Sequence, residues 1–308
     1  MIEGARVLVT GASGKVAFPI ARELAGRGND VTGVARFSDE SALERLRSVG
    51  ATPLRFELGR DDERDLPDAD YVFHAGAALN VPPAEWEFQF EVNVQATGRL
   101  LRRYSGVSGF VFCSTGSQYA YQGQRPLRES DPPGVPLGTY SASKTAAEQV
   151  VQYLSRESAT PCTIIRIFST YGPEGGAPVG RFERMLAGKG VVLHPDRPNN
   201  YNPIFEDDYV ALGIRALEVA ATPVVVTNFA GSETVSAEDY LAFLGALVGI
   251  EPKITYGENA WWPLAADVSH MHEVLGKCQV PWRDGMRRTV AAIHPELELR
   301  DVSAGEKE

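Results

Sequence analysis

Cysteine and positive charge are scarce in this sequence. Its three cysteines, Cys113, Cys162 and Cys278, stand far apart among 308 residues without a Cys-x-x-Cys pair, which argues against a disulfide framework or a zinc site. Lysine and arginine number 30 against 40 aspartates and glutamates, so the net charge is −10. Because nucleic acids and anionic membranes are themselves polyanions, this balance argues against either as the main partner.

Long apolar runs are missing as well. The longest, residues 241–250, has about half of the ~20 residues that a membrane-spanning helix needs. The chain starts MIEGARVLVTG, without the basic start of a signal peptide. We therefore expect a cytoplasmic protein that acts on a small molecule, with no nucleic-acid partner, no membrane partner and no metal.

Apolar, β-branched segments alternate with amphipathic ones through the first two-thirds of the chain. Runs such as Val7-Leu8-Val9 are almost continuously apolar, which is typical of parallel strands covered on both faces. The pattern predicts strands at 5–10, 30–35, 52–56, 70–74, 109–114, 162–167 and 224–229, and helices at 15–27, 39–49, 85–104 and 139–157. Such alternation predicts an α/β fold with a doubly wound parallel sheet.

The pattern changes after about residue 170. Residues 171–180, YGPEGGAPVG, predict a loop, and the acids Glu206-Asp207-Asp208 predict the N-terminal cap of a helix at 207–220. We predict a nucleotide-binding domain at 1–170, to which 204–230 return. Residues 171–203 and 231–308 are predicted to form a small, partly interleaved C-terminal substrate-binding lobe.

A glycine-containing turn, TGASGKVA, joins the first predicted strand to the first predicted helix. The first glycine permits a tight turn, and the second lets backbone N–H groups approach a pyrophosphate at the helix N-terminus. A Gly-x-x-Gly alone is weak evidence in a chain with 30 glycines, but this position favours a Rossmann dinucleotide site over a plain turn. The predicted cofactor-binding residues of the turn are Gly11, Ser13, Gly14, Lys15 and Val16.

The end of the second predicted strand bears on the choice of dinucleotide. An acid there holds the ribose 2′-OH of NAD, whereas an arginine accommodates the 2′-phosphate of NADP. The strand ends Ala35-Arg36-Phe37-Ser38, with no acid before Asp39. Arg36 can pair with a phosphate or stack on adenine. NADP is therefore favoured and NAD is the alternative, while the simplest interpretation of Arg36 is an exposed surface charge.

Tyr140 and Lys144, within YSASK, lie four residues apart at the start of a predicted helix and so project from one face. A phenol has a pKa near ~10 and is a poor acid or base at neutral pH until that pKa is lowered. A nearby ammonium lowers it by stabilising phenolate. A Tyr-x-x-x-Lys alone is usually a surface pair, so its meaning depends on the residues around it.

The sequence resembles the extended, epimerase/dehydratase-like branch of the short-chain dehydrogenase/reductase superfamily. The resemblance runs from Thr10 to about Arg288 and rests on the order and spacing of several motifs together. These are TGASGKVA at 10–17, HAGA at 74–77, Asn93-Val94, CSTGS at 113–117, YSASK at 140–144, Arg166 with Tyr171-Gly172-Pro173, PIFEDD at 203–208, and Leu275-Gly276 with WRDG at 282–285.

The resemblance implies a role for each matching residue. Tyr140 is the acid/base, Lys144 lowers its pKa and holds the nicotinamide ribose, and Thr115 binds the substrate oxygen, with Ser114 and Ser117 as alternative hydroxyls. Asn93 supports the backbone after the fourth strand and the lysine. The remaining implied cofactor contacts are Leu58 near adenine, Ala75, Gly76 and Ala77 at the ribose, and Phe168 and Ser169 at the nicotinamide.

Several positions depart from the nucleotide-sugar members of that family. Ser169 stands where they often carry an asparagine, residues 199–203 lack the usual basic residue, and Gln118 replaces an aliphatic residue. These departures argue against a nucleotide-diphosphate sugar as substrate. Arg181 is a candidate for an anionic or carbonyl group of the substrate, and Trp86 either lines the pocket or packs in the core. The expected substrate contacts are Ser117, Gln118, Arg181 and Trp86.

We predict an NADP(H)-dependent oxidoreductase that transfers a hydride between nicotinamide and a carbonyl or secondary alcohol of a small molecule. The alternative is a nucleotide-sugar epimerase or dehydratase that uses bound NAD(P) without net redox, because the same residues serve both reactions. A non-catalytic NADP-sensing protein ranks last, since such proteins usually lose the Tyr/Lys pair. Members of the family often dimerise through two long helices, so we expect a homodimer through 85–104 and 139–157.

Overall fold

A sheet of seven parallel strands organises the protein, whose computed structural model describes residues 1–134 and 138–302. Numbered along the chain, the strands of all sheets are β1 (Arg6–Thr10), β2 (Asp30–Ala35), β3 (Thr52–Arg55), β4 (Tyr71–His74), β5 (Gly109–Thr115), β6 (Cys162–Ile167), β7 (Ser169–Gly172), β8 (Gly175–Gly176), β9 (Val191–Leu193), β10 (Asn200–Tyr201), β11 (Pro203–Phe205), β12 (Val225–Phe229), β13 (Val235–Ser236) and β14 (Ile254–Tyr256). The central sheet has the order β12-β6-β5-β4-β1-β2-β3, with every neighbouring pair parallel. This confirms the predicted α/β fold with a doubly wound parallel sheet.

Helices cover both faces of this sheet. They are α1 (Ala17–Gly26), α2 (Glu40–Ser48), α3 (Trp86–Phe90), α4 (Ala96–Arg103), α5 (Gly138–Ser158), α6 (Ala177–Leu186), α7 (Glu206–Glu218), α8 (Ala237–Val248), α9 (Ser269–Val274) and α10 (Trp282–Ile293). Successive residues of β1 alternate between the faces: Val7 and Val9 pack with α1, α2 and α7, and Leu8 packs with α4 and α5. Burial on both sides explains why strands such as β1 and β5 are almost continuously apolar in sequence.

A second apolar cluster lies among the elements that follow β6. It joins β7, β9 and β11 to α6, α8 and α10, with Tyr171, Phe182, Tyr240, Leu244 and Trp282 among its buried members. Strand β12 comes later in the chain than most of these elements but pairs with β6 at the edge of the central sheet. The division into two lobes at the boundaries given above stays a prediction, and residues 303–308 of its last segment lie outside the described residues.

Two local predictions were wrong. Residues 171–180 do not form a loop, because β7 runs on to Gly172, pairs with β8 and leads directly into α6. Gly176 has φ +127°, and a Cβ there would lie 2.2 Å from the Thr170 carbonyl oxygen, so glycine permits a tight hairpin. The acids of α7 do not cap it: Phe205 is the N-cap residue, and Asp208 accepts hydrogen bonds from the backbone N–H groups of Gln279 and Val280.

The predicted helix at 85–104 is continuous in position but not uniform in geometry. Helix α3 and helix α4 are joined by a π-helical segment, Glu91–Gln95, in which Asn93 is buried. Short π-helical segments occur often at functional sites, since they turn a side chain away from the regular helical pattern. Among the described residues, no helix is both long and apolar enough to cross a membrane.

Candidate active site and dinucleotide-binding edge

The turns after β1 and β4 lie side by side at the carboxyl edge of the central sheet. This is the point where the chain order of the strands changes direction, because β2 and β3 follow β1 on one side and β4, β5 and β6 follow it on the other. Ligands of doubly wound sheets bind in the crevice at such a point, outside the carboxyl ends of the strands. Gly11 has φ +71°, and a Cβ on it would lie 2.9 Å from the Gly76 backbone nitrogen. The Gly14 N–H donates to the Gly11 carbonyl at 2.7 Å, just before α1 begins. The two glycines therefore leave backbone exposed at a helix N-terminus, as a pyrophosphate requires.

The other residues predicted to hold the cofactor border this crevice. Ser13 and Lys15 are exposed and Val16 is half-buried in the turn before α1, and the Lys15 side chain lies over Gly175. Leu58 packs on Gly76, where a Cβ would lie 2.6 Å from the Leu58 Cδ1 atom. Ala75 and Ala77 are half-buried on either side of Gly76. This set fits a dinucleotide laid across the ends of β1 and β4.

Arg36 is exposed at the carboxyl end of β2, and within the described ranges no ion pair involves it. The following residue, Phe37, is buried in the left-handed backbone region at φ +45°. The first acid beyond the strand, Asp39, is the N-cap of α2, where its side chain accepts from the Ala42 N–H at 2.9 Å. The carboxylate of the first acid after the end of β2 is therefore already engaged in a hydrogen bond within the protein.

Thr115, the last residue of β5, is linked to α5 through hydroxyl groups. Its Oγ1 lies 2.9 Å from Ser117 Oγ, which lies 3.0 Å from Ser141 Oγ. Ser141 adjoins Tyr140 in the first turn of α5. The series of hydroxyl contacts therefore links Thr115 to the residue next to Tyr140. Ser114, the alternative hydroxyl, is buried and makes no hydrogen bond within the described residues.

Tyr140 and Lys144 occupy the first two turns of α5. Lys144 is only 2% exposed, and its Nζ lies 4.0 Å from the ring centroid of Phe112. Burial lowers the pKa of Lys144 to about 8. Burial, with a smaller contribution from the Cys113 thiol, raises the pKa of Tyr140 to about 12. This direction is opposite to the lowering predicted from Lys144, because burial disfavours the charged phenolate and the Cys113 thiol acts in the same direction.

Asn93 joins the backbone after β4 to α5. Its side chain accepts from the Ala78 N–H at 2.7 Å and donates to the Ala78 carbonyl at 3.0 Å. It also donates to Ser143 Oγ at 2.9 Å, and Ser143 donates to the Tyr140 carbonyl at 2.7 Å. The contact with α5 is made through Ser143, the neighbour of Lys144, whereas the sequence had suggested the lysine itself.

Of the two residues expected near the nicotinamide, Phe168 lies beside the end of β5. The ring of Phe168 covers Gly116, where a Cβ would lie 2.6 Å from it, and stacks on Tyr119 with centroids 6.0 Å apart. Ser169 starts β7 and pairs with Pro203. Gly116 therefore allows an aromatic ring to approach the end of β5.

The residues predicted to contact substrate differ from one another in exposure and in hydrogen-bond partners. Ser117 is half-buried next to Thr115, but Gln118 is buried and turned inward. Its amide donates to Glu148 at 2.5 Å and accepts from Thr145 at 3.0 Å, so both of its polar atoms are used inside the protein. Trp86 is 49% exposed on α3, edge-on to Phe90 at 5.5 Å.

Arg181, on α6, lies between two tyrosines. Its guanidinium donates to the phenol oxygens of Tyr240 and Tyr201, the latter at 3.2 Å, and lies 4.9 Å from the Tyr201 ring centroid. Burial acts to lower the pKa of Arg181, but the two phenols more than offset it and raise the pKa. Within the described residues no carboxylate pairs with this cation. A half-buried guanidinium held by neutral groups retains the capacity to bind an anion.

Sequence reasoning missed several polar residues that support this site. Ser141 and Ser143 stand within YSASK, but hydroxyl partners follow only from the approach of β5 and the π-helical segment to α5. Arg166 donates to Glu148 at 2.7 Å, and this buried pair also holds Gln118. The spacing of Lys144 and Glu148, four residues apart on one helix face, was a signal that could have linked Glu148 to the site.

Fold, crevice and Tyr/Lys helix together define a dinucleotide-dependent enzyme of the extended short-chain dehydrogenase/reductase class. Residues 7–227 match the model of the NAD dependent epimerase/dehydratase family, and the chain belongs to that family. The comparison confirms the resemblance seen in the motifs.

Two curated relatives and one solved structure illustrate the likeness. The chain is 29% identical to the UDP-glucose 4-epimerase of Mycolicibacterium smegmatis (strain ATCC 700084 / mc(2)155) over 315 residues, which cover 92% of the chain and 97% of that protein. It is 27% identical to the dTDP-4-dehydro-6-deoxy-D-allose reductase of Streptomyces sp over 321 residues, 93% and 95% of the two chains. It is similar to the structure of MoeE5 in complex with UDP-glucuronic acid and NAD, with a TM-score of 0.80 and 26% identity, covering 95% of this chain and 100% of that one.

Proposed function

We propose that the protein is a nucleotide-sugar epimerase or dehydratase that retains a bound NAD. It oxidises a secondary alcohol of its substrate transiently, and the reaction as a whole involves no net redox change. The observation that carries the proposal is the series of hydroxyl contacts from Thr115, at the carboxyl end of β5, to Ser141 beside Tyr140 on α5. Strand β5 is the sheet neighbour of β4, which leads into the crevice formed by Gly11 and Gly76. Family membership and likeness to the UDP-glucose 4-epimerase support this reaction over the net reduction that the sequence had favoured.

The crevice fits a dinucleotide, since a Cβ at Gly11 or Gly76 would fill it. Bound NAD supplies a hydride acceptor that can also return the hydride. The residues proposed to hold it are Gly11, Ser13, Gly14, Lys15 and Val16 at the pyrophosphate, Arg36 and Leu58 at the adenosine, Ala75, Gly76 and Ala77 at a ribose, and Phe168 and Ser169 near the nicotinamide.

The protein's own groups perform the proton chemistry. Thr115 donates a hydrogen bond to the substrate oxygen and fixes its position between β5 and α5. Tyr140, as phenolate, takes the hydroxyl proton when the carbinol is oxidised and returns it on reduction. Because burial raises the pKa of Tyr140, the phenolate depends on positive charge nearby, and Lys144 supplies it from the next turn of the helix.

Arg181 supports an anionic substrate. The absence of a basic residue at 199–203 had argued against a nucleotide diphosphate. In the fold, however, the Arg181 guanidinium reaches Tyr201 in that very segment from a different element, α6. We propose that this guanidinium binds the substrate phosphates and replaces the missing basic residue.

A second candidate function is a net reductase that uses NADP(H). The observation in its favour is Arg36, an exposed arginine at the carboxyl end of β2 whose guanidinium can bind a 2′-phosphate. Likeness to the dTDP-4-dehydro-6-deoxy-D-allose reductase also supports it. We rank NAD first as the resident cofactor, since the solved relative at 26% identity is a complex with NAD.

A homodimer through α3–α4 and α5 remains part of the proposal. Trp86 on α3 is 49% exposed and Tyr153 on α5 is 63% exposed, although both are large aromatic side chains. Exposed aromatic groups on neighbouring helices favour a protein contact. Light scattering of the wild type and of a Trp86→Glu/Tyr153→Glu variant measures the mass directly: we expect a dimer and a monomer respectively.

The test of the reaction is stoichiometric. The purified protein is denatured to release and identify its nucleotide, and the native protein is incubated with UDP-glucose, UDP-glucuronic acid and dTDP-sugars. We expect NAD in the released fraction and isomerised or dehydrated sugar without net change in reduced nicotinamide. Tyr140→Phe should abolish conversion, and Tyr153→Phe on the same helix is the matched control. Substrate-dependent consumption of NADPH would replace the proposal by the reductase.

A further inference from the structure

His74, the last residue of β4, is completely buried between two threonines. Its Nδ1 lies 2.7 Å from Thr10 Oγ1, and its Nε2 lies 2.8 Å from Thr97 Oγ1. Burial, reinforced by the charge of Lys144, lowers the pKa of His74 to about 3. The imidazole is therefore neutral and carries its single proton on one of the two nitrogens.

The neighbouring hydrogen bonds decide which nitrogen that is. The Thr97 hydroxyl donates to the Asn93 carbonyl at 2.8 Å, so it accepts from His74, whose proton is on Nε2. Nδ1 then accepts from the Thr10 hydroxyl, and Thr10 Oγ1 in turn accepts from the Gly76 N–H at 3.0 Å. Every donor in this series points the same way, from the turn after β4 to the π-helical segment.

The series continues to the acid/base residue. The same Asn93 whose carbonyl ends the histidine series donates through its side chain to Ser143, which donates to the Tyr140 carbonyl. At the other end, Gly76 forms one wall of the dinucleotide crevice against Gly11. Buried hydrogen bonds connect the cofactor crevice to the backbone of the acid/base tyrosine, and His74 is the rigid ring that spans β1 and α4.

We infer that His74 is a positioning residue that fixes the cofactor crevice relative to Tyr140, and that it does so as the Nε2–H tautomer. The inference rests on the proposed function in taking Tyr140 as the acid/base. A neutral imidazole donates on one side and accepts on the other, as the two threonines require, and its planar ring fixes their separation. Loss of either bond leaves a buried polar group unpaired and lets the two halves of the site shift.

The test replaces Thr97 by valine, which keeps the shape but removes the hydroxyl that His74 needs, and by serine, which restores it. The matched control is Thr289→Val in α10. Thr289 is also buried and donates to the Gly285 carbonyl at 2.7 Å, as Thr97 does to Asn93, but no histidine of residues 1–134 or 138–302 forms a hydrogen bond with it. Affinity for NAD, kcat and KM with the converted sugar, and the melting temperature are measured for each variant.

For Thr97→Val we expect NAD affinity to fall on the order of tenfold. The kcat should fall between about tenfold and a hundredfold, because small misplacements of reacting groups are costly, while KM changes little. Thr97→Ser should recover both, and Thr289→Val should lose neither despite a similar change in melting temperature. Unchanged NAD affinity and kcat in Thr97→Val would overturn the inference.

A measurement on the wild type needs no variant and no substrate. Nitrogen-15 NMR of histidine-labelled protein with NAD should show His74 neutral and protonated on Nε2 across about pH 5 to 8. A proton on Nδ1, or a charged ring, would also overturn the inference. Because NAD affinity and the tautomer do not depend on which sugar reacts, a failure here is distinguishable from a failure of the proposed reaction.

Discussion

The Arg181 guanidinium donates to the Tyr201 phenol oxygen at 3.2 Å, although the two residues are twenty positions apart in sequence and belong to different elements. A guanidinium whose partners in the described part of the chain are phenols keeps donors for an incoming anion, and its planar shape matches phosphate. The proposed phosphate site thus rests on a local positive charge in a protein whose net charge is −10.

Replacement of Arg181 by methionine should therefore act on binding. We expect KM for a UDP-sugar to rise between about tenfold and a hundredfold with a smaller change in kcat, since a charge-assisted hydrogen bond to phosphate is lost. Steady-state kinetics and calorimetric titration with UDP measure this. The control is Arg184→Met on the same helix, whose side chain is exposed and donates to the Gly190 carbonyl. Equal effects of the two replacements would contradict the assignment.

Gly11→Ala should weaken dinucleotide binding. The new methyl group would lie 2.9 Å from the Gly76 nitrogen and would force the positive φ of +71° on an alanine. We expect NAD affinity to fall at least about tenfold, because the crevice walls must separate. Gly28→Ala is the matched control, since Gly28 has φ +79° but nothing within 4 Å of the added Cβ. Both variants should lose stability, Gly11→Ala more because of the clash with the Gly76 backbone, and only Gly11→Ala should lose affinity for NAD in a fluorescence titration.

The lowered pKa of Lys144 predicts a pH dependence of stability. Folding depresses this pKa from 10.5 to about 8, so between those values the unfolded chain binds more protons than the folded one. Stability from this group therefore rises with pH across that window and is constant below it. The free energy of unfolding of the wild type, relative to Lys144→Met, should increase by on the order of 1 kcal/mol per pH unit there. Urea denaturation at several pH values tests this, and a constant difference would refute it.

Arg36→Gln addresses the choice of cofactor. If the guanidinium lies at the 2′ position of the adenosine ribose, the variant should bind NADPH at least about tenfold more weakly. Its affinity for NADH should fall much less, because NADH lacks the 2′-phosphate. Arg102→Gln, an exposed arginine of α4, is the control. For the proposed NAD-holding enzyme we expect wild-type affinity for NADH at least equal to that for NADPH. A wild type that strongly prefers NADPH would favour the reductase.

Much of the fold followed from local patterns. The strand at 30–35 and the strand at 162–167 match β2 and β6 at both ends, because both segments are rich in β-branched residues, which favour strands. Residues 171–180 were misjudged, since glycine permits both a loop and a tight hairpin, and pairing with β7 decides between them. Gln118 was expected to face the substrate, yet Glu148 and Thr145 hold it inside.

The sequence by itself determined the strand–turn–helix at Gly11 and the Tyr140/Lys144 pair, because both depend on residues a few positions apart. Only the tertiary structure decided which other residues bond to the elements around them. Thr10 and His74 are 64 positions apart, and they meet because β1 and β4 are neighbours in the sheet. Hydrogen-bond partners of this kind depend on strand order and on the approach of separate elements, which no local periodicity records. The turn at Gly11 can thus be recognised in the sequence, whereas the hydrogen bonds that connect it to the backbone of Tyr140 appear only in the fold.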